Sequence, residues 1–241
     1  MDVSWEGSGW ERLTGRCGRL RLPVWDCTAG LVVGDDAVLL IDPGSCLREG
    51  AGLRVAAERM TGRRVTHLAF THGHFDHVLG AAAFPGAEVF GAVGLDALLA
   101  TGRDELREDA VRNGLARAEA AEAADRLVVP GHPVSGEWTL ELGGVQVLLA
   151  NVGPGHTGHD LAVCVPGERE VVFCGDLVEE SGEPQAGPDA VPGRWPAALD
   201  RLLSLGGDDA LYVPGHGAVV DAGFVRAQRD TLALRYGVSR A

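Results

Sequence analysis

Lysine is absent from this chain of 241 residues, so its 21 basic side chains are all arginine, against 34 acidic ones. The formal net charge is −13. A nucleic-acid-binding surface needs clustered cations, so no nucleic-acid partner is expected, although a local basic pocket stays open. No apolar run approaches the roughly 20 residues of a membrane-spanning helix, which argues against a membrane partner. The opening Met1-Asp2-Val3-Ser4-Trp5-Glu6 lacks a basic n-region and an apolar h-region, so no secretion signal is read and the cytoplasm is the expected location. The five cysteines, Cys17, Cys27, Cys46, Cys164 and Cys174, are odd in number and form no C-x-x-C pair, as expected of reduced, buried thiols. Gly-x-Ser-x-Gly, the signature of a serine nucleophile on a strand–helix turn, is also missing.

Histidine is scarce, with 8 in the chain. Yet His72, His74 and His77 fall together in Thr71-His72-Gly73-His74-Phe75-Asp76-His77. The preceding Val65–Phe70 has the length and apolarity of a buried strand, and Val78–Phe84 reads as a helix start. The cluster therefore sits where a strand hands over to a helix, rigidly held and open to solvent. Residues two apart in an extended segment project to one side, so His72 and His74 can converge on one ion. Asp76 and His77 then point towards a second position. Imidazole with carboxylate suits zinc, iron, manganese or nickel rather than calcium or magnesium.

The remaining chain alternates strands and helices. Strands are expected at 20–25, 29–34, 37–41, 88–90, 127–130, 138–142, 145–150, 161–165, 171–174 and 211–213. Gly34-Asp35-Asp36 and Gly143-Gly144 are hairpin turns. Helices are expected at 47–61, with Gly62 as its stop, and at 95–100, 195–205 and 221–236. Residues 103–126, rich in Ala, Glu and Arg, read as one long helix with Gly114 as its weak point, and 179–193 as an acidic Gly/Pro-rich loop. Five chemistry-bearing turns, at Asp42, His72, His156, Asp176 and His216, each follow an expected strand, so an active site on one rim is expected. His132, after Pro130, either lines the substrate pocket or lies on the surface, and Trp195 is a second candidate for the pocket. Asp42 is either a turn aspartate or a carboxylate that orients a ligating imidazole.

His72-x-His74-x-Asp76-His77 resembles the signature of the metallo-β-lactamase fold superfamily, and Thr71 and Gly80 look like its glyoxalase II-type members. Gly153-Pro154-Gly155-His156-Thr157-Gly158-His159-Asp160, Gly175-Asp176-Leu177 and Pro214-Gly215-His216-Gly217 follow in the family's order. The resemblance implies a single domain over 1–241, a four-layer αββα sandwich of the α/β class. It also implies two divalent metal ions, zinc first, with iron or manganese as alternatives. His72, His74 and His156 would hold one, and Asp76, His77 and His216 the other. Asp176 would bridge, since a carboxylate has two oxygens. Asp42 and His159 would support the ligands from behind. Zinc β-lactamases usually carry cysteine at the place of Asp176, and Cys174 is two residues early, which counts against a dedicated β-lactamase.

The implied activity is hydrolysis of a small thioester, lactone or amide by a hydroxide held between the two ions, with Asp76 able to orient the nucleophile. A mononuclear iron oxygenase similar to persulfide dioxygenases is the alternative. Flavin-linked di-iron relatives usually have Glu where this chain has His74. Nuclease relatives fit the acidic balance poorly, and a non-catalytic metal binder fits an intact set of seven ligands poorly.

Overall fold

The structure is a computed structural model that describes residues 3–238. Met1 and Asp2 of the N-terminal stretch read above lie outside the described residues. One sheet holds, in spatial and chain order, β1 (Glu11–Arg12), β2 (Cys17–Arg21), β3 (Thr28–Val33), β4 (Val38–Ile41), β5 (His67–Ala69), β6 (Glu88–Ala92) and β7 (His132–Val134). The other is built from β8 (Glu137–Glu141), β9 (Gln146–Asn151), β10 (Leu161–Val165), β11 (Val171–Glu179) and β12 (Leu211–His216), in the spatial order β12-β11-β10-β9-β8. The helices are α1 (Leu47–Thr61), α2 (Phe75–Val78), α3 (Leu95–Thr101), α4 (Arg103–Arg112), α5 (Arg117–Asp125), α6 (Trp195–Gly206) and α7 (Ala222–Arg235).

The layering follows from strand periodicity. In β4, Leu39 and Ile41 pack between the sheets with Val147, Val163, Phe173 and Val213, while Val38 and Leu40 face outward onto Leu53 and Ala57 of α1. In β10 and β11, Val163 and Phe173 point to the inter-sheet core, and Cys164 and Val172 face Trp195, Leu199 and Leu202 of α6. Strands buried on both faces read as continuous apolar runs rather than alternating ones, which is why they were legible as buried. The result is the αββα sandwich, helices outside and two sheets face to face. Gly62 ends α1 in the left-handed region at φ 68°. All five cysteines are buried and free. Among the described residues no helix is long and apolar enough to cross a membrane.

Several boundaries differ from the sequence expectation. The strand placed at 20–25 is β2, ending at Arg21; Pro23, which cannot donate to a ladder, opens a turn over 23–25. The helix expected from Val78 instead begins at Phe75 and ends at Val78, followed by a 3-10 turn at Ala81–Ala83. Gly80 lies between the two against the Pro43 carbonyl, where a Cβ would come within 2.0 Å of the oxygen. The helix expected over 103–126 divides into α4 and α5, broken where Gly114 takes φ 104°. No strand forms at 127–130, since the Leu127 amide still caps Ala124 of the helix end, and β7 starts at His132. Asp176 and His216, expected on turns, lie within β11 and β12, whose pairing shifts register between Phe173 and Gly175 and again before Glu179.

Candidate metal centre

Parallel strands β4, β5 and β6 pair Ile41 with Ala69 and Ala69 with Phe90, so their C-terminal ends open on one rim. The segment 71–77 leaves β5 there, and the first turn of α2 carries Asp76 and His77 inward. β11 and β12 bring Asp176 and His216 from the other sheet, and the 153–160 loop after β9 brings His156. Backbone bridging of Cys27 to His216 ties the two sheets together at this rim.

Three groups of potential ligands result among the described residues, of which Cys27, Asp76 and His77 form one. His72, His74, His156 and Asp176 each offer one atom within 4.8 Å of the others, and His77, Asp176 and His216 do likewise. Asp176 belongs to both of the last two. Asp76 Oδ2 lies 3.3 Å from His216 Nε2 and 3.6 Å from His77 Nε2. Each of the five imidazoles has one nitrogen engaged on the outside. Thr71 donates its hydroxyl to Asp42 at 2.7 Å, so its Oγ1 accepts from His72 Nδ1 at 3.0 Å. Nδ1 of His77 donates to Asp42 Oδ2 at 2.9 Å, Nδ1 of His156 to the Gln185 carbonyl at 3.2 Å and Nδ1 of His216 to the Trp25 carbonyl at 2.7 Å. His74 is reversed: Nε2 faces Asp189 at 3.1 Å, and Nδ1 faces His156 Nε2 at 3.1 Å. The inner nitrogens therefore converge.

This arrangement fits divalent cations. His72 Nε2 is buried without a hydrogen-bond partner, and so is Asp176 Oδ1, which lies 3.2 Å from His77 Nε2 without a directed bond. Buried polar atoms are rarely left in that state unless something else satisfies them. Imidazoles whose outer N–H is held by a carboxylate or carbonyl are the usual form of histidine ligands. Electrostatics divides the histidines. Burial pushes His72 well down and His156 down to about 4. Burial opposes charge on His216 too, but the Asp176 and Asp76 carboxylates lift it to about 12. Burial is likewise outweighed at His77, which the surrounding carboxylates of Asp176, Asp76 and Asp42 hold well above its ordinary value. Burial would raise Asp176, but His77, His72 and His216 hold it well below the carboxylate range.

Asp42 is buried beneath the cluster and takes φ 53°, accepting from the Thr71 amide as well as from Thr71 Oγ1 and His77. His159 is placed otherwise than expected: its Nδ1 donates to the Val93 carbonyl, so it ties down the loop without orienting an imidazole. His132 does not line the cavity at the cluster. On edge strand β7 it stacks on Phe90 at 4.5 Å and lies 3.3 Å from Glu88. Trp195 does not line it either. It is fully buried behind His156, ring centroids 5.3 Å apart, and donates Nε1 to the Leu177 carbonyl.

Several contributors carry no signal of their role in the sequence. Asp189 and Gln185 come from the acidic loop, where nothing distinguishes Asp189 from its acidic neighbours. Trp25 acts through its carbonyl, a group every residue has. Asp160 pins the loop of His156 by accepting from the Thr157 hydroxyl at 2.7 Å and its amide at 3.0 Å. Cys27 Sγ lies 3.8 Å from both ring nitrogens of His77, off the axis of the Nε2 lone pair, and burial pushes its thiol up to about 11. It packs on the ring as a neutral thiol.

Residues 22–216 match the family model of the metallo-beta-lactamase superfamily. The chain is 29% identical over 196 residues to metallo-beta-lactamase domain-containing protein 1 of Xenopus laevis, covering 80% of this chain and 71% of that one. It is 30% identical over 95 residues to metallo-beta-lactamase type 2 of Bacillus cereus, covering 39% and 37%. Among solved structures, a metallo-beta-lactamase from Pontibacter korlensis superposes with a TM-score of 0.70 at 20% identity, over 92% of this chain and 97% of that one.

Proposed function

Because the chain belongs to the metallo-beta-lactamase superfamily, we propose that its cluster holds two divalent cations and hydrolyses a small ester-like substrate in a single catalytic domain. Membership supports a metal-dependent hydrolase in general terms. The observation that carries it is the convergence of five imidazoles, each with its outer nitrogen bonded, around the buried Nε2 of His72 and Oδ1 of Asp176.

His72 through Nε2, His74 through Nδ1 and His156 through Nε2 would hold one ion. Nε2 of His77 and His216, with Asp76, would hold the other, and Asp176 would be shared. When bound, such ions polarise a carbonyl and lower the pKa of water from about 15.7 towards ~7. Zinc is the proposed occupant, with iron or manganese as alternatives, since the ligand types admit all three. The chain's own part is to hold the ligands in one tautomer, keep their outer faces dry, and orient the attacking water. Asp76, 3.3 Å from His216 and open to the cavity, is the residue proposed to accept that water's proton. Asp42 keeps His77 aligned.

Elemental analysis of protein purified without chelator or affinity-tag metal tests the reading. About two equivalents of zinc, or of mixed zinc, iron or manganese, with turnover of thioesters or lactones, is the expected result. A single equivalent of iron with the second group empty would move the assignment to oxygen chemistry of the persulfide-dioxygenase kind. Protein that takes up no metal even when it is added back would sink both.

A further inference from the structure

The cavity that opens on the cluster measures about 550 Å³, a usual size for a small-molecule site. Part of its wall is apolar: Trp25 and Phe75 meet edge to face at 5.2 Å, and Leu98, Leu99 and Leu106 continue the surface. Its charged lining is acidic. Glu105, Asp109 and Asp189 contribute carboxylates, and Arg112 is the one arginine among the described lining residues. That guanidinium lies 2.9 Å from Asp109 Oδ1. The chain has no lysine to supply another cation.

An anionic group remote from the ions proposed at the cluster needs another cation that is not already offset. Here such a carboxylate would find only Arg112, whose charge Asp109 already offsets, in a wall that also carries Glu105 and Asp189. An uncharged aliphatic group meets no such opposition and covers the leucines and Phe75. We propose that the site takes an uncharged substrate with an apolar acyl part, an aliphatic thioester or lactone, and rejects the same compound carrying a carboxylate. The bond broken rests on the hydrolase reading; the charge preference rests on the lining alone. In the hydrolysis, water's oxygen joins the acyl carbon, the C–S or C–O bond breaks, and a proton ends on the leaving atom.

Two measurements separate the readings. The first compares binding of mercaptohexanol and mercaptohexanoate to the cobalt-loaded protein, read by thiolate-to-metal charge-transfer absorption. The neutral thiol should bind at least roughly tenfold more tightly, and Asp109→Asn, which frees Arg112, should narrow the ratio. Equal binding, or tighter binding of the carboxylate, overturns the inference. The second compares kcat/KM for a neutral octanoyl thioester and its counterpart with a terminal carboxylate, with the same preference expected. A neutral preference in binding without turnover of either thioester would leave the ligand class standing and remove the hydrolase. Turnover of both with no preference would do the reverse.

Discussion

Nε2 of His74 lies 3.1 Å from Oδ2 of Asp189, a residue 115 positions further along the chain. The contact fixes which nitrogen of His74 faces the cluster. With Nε2–H given to Asp189, the lone pair of Nδ1 is left to point at His156, 3.1 Å away. The same loop receives Nδ1–H of His156 through the Gln185 carbonyl. One loop thus sets the tautomer of two histidines, from behind, and it also lines the cavity in front of them.

Asp189→Ala should therefore weaken metal binding at the site of His72, His74 and His156 by about 10–100-fold, as loss of such outer partners typically does. Competition against a chromophoric chelator measures it. Because Asp189 is on a loop and half-exposed, thermal stability of the metal-free protein should hardly move. An unchanged affinity would remove Asp189 from the site.

Asp42 is the counterpart at the other group, and it is far more buried. Asp42→Ala strands the Thr71 amide, the Thr71 hydroxyl and His77 Nδ1 inside the protein. Removing one partner of a buried charged pair costs about 3–5 kcal/mol, a fall in melting temperature on the order of 10 °C for a chain of this size. Asp42→Asn keeps an acceptor and tolerates the left-handed backbone at φ 53°, so it should lose less than half of that. Its second metal should still bind more weakly, because His77 loses its anionic partner.

The two groups should also differ in their response to pH. Without metal, His216 at about 12 and His77 well above its ordinary value carry protons at neutrality, whereas His72, well below, and His156, at about 4, do not. Binding requires neutral imidazole, so filling the second site must release protons that the first site, His74 apart, does not hold. Raising the pH towards the value of His216 favours the second ion, and lowering it expels that ion first. Below about 12, the value of His216, and down to about 4, that of His156, each fall in pH should weaken the second ion more than the first, so one equivalent should leave before the other. Calorimetry in buffers of different ionisation enthalpy counts the protons released; equal release from both sites would contradict the assignment.

The sequence carried much of this arrangement because its signals are local. Apolar runs mark the strands at 38–41, 161–165 and 171–174, and the spacing of His72, His74, Asp76 and His77 is visible within one turn of chain. What escaped was set by tertiary approach. Position 80 has no room for a side chain only because the Pro43 carbonyl passes beside it. His132 belongs to a strand because β6 offers an edge and Phe90 a ring to stack on. The Trp25 carbonyl reaches His216 from 191 residues away, and no residue type announces such a partner.

Trp195 is the sharpest case, since a tryptophan beside the 179–193 loop read as a pocket wall and lies instead in the core. Its ring is fully buried among Ala198, Leu199 and Leu177, meets His156 at 5.3 Å and donates to the Leu177 carbonyl at 2.9 Å. Trp195→Ala removes a large buried ring and should destabilise the fold by about 3–5 kcal/mol. Trp195→Phe keeps an aromatic face against His156, and the Leu177 carbonyl still accepts from Gln228 Nε2 at 2.7 Å, so the loss of one hydrogen bond should cost only about 0.5–1.5 kcal/mol. A residue that backs a ligand lowers metal affinity and turnover for all substrates alike, whereas a wall residue changes their ranking. Denaturant melts of both variants, with kcat/KM for Trp195→Phe on a neutral and a carboxylated thioester, decide between these roles. The core position requires lower stability with an unchanged substrate ratio; a shifted ratio at unchanged stability would return Trp195 to the pocket.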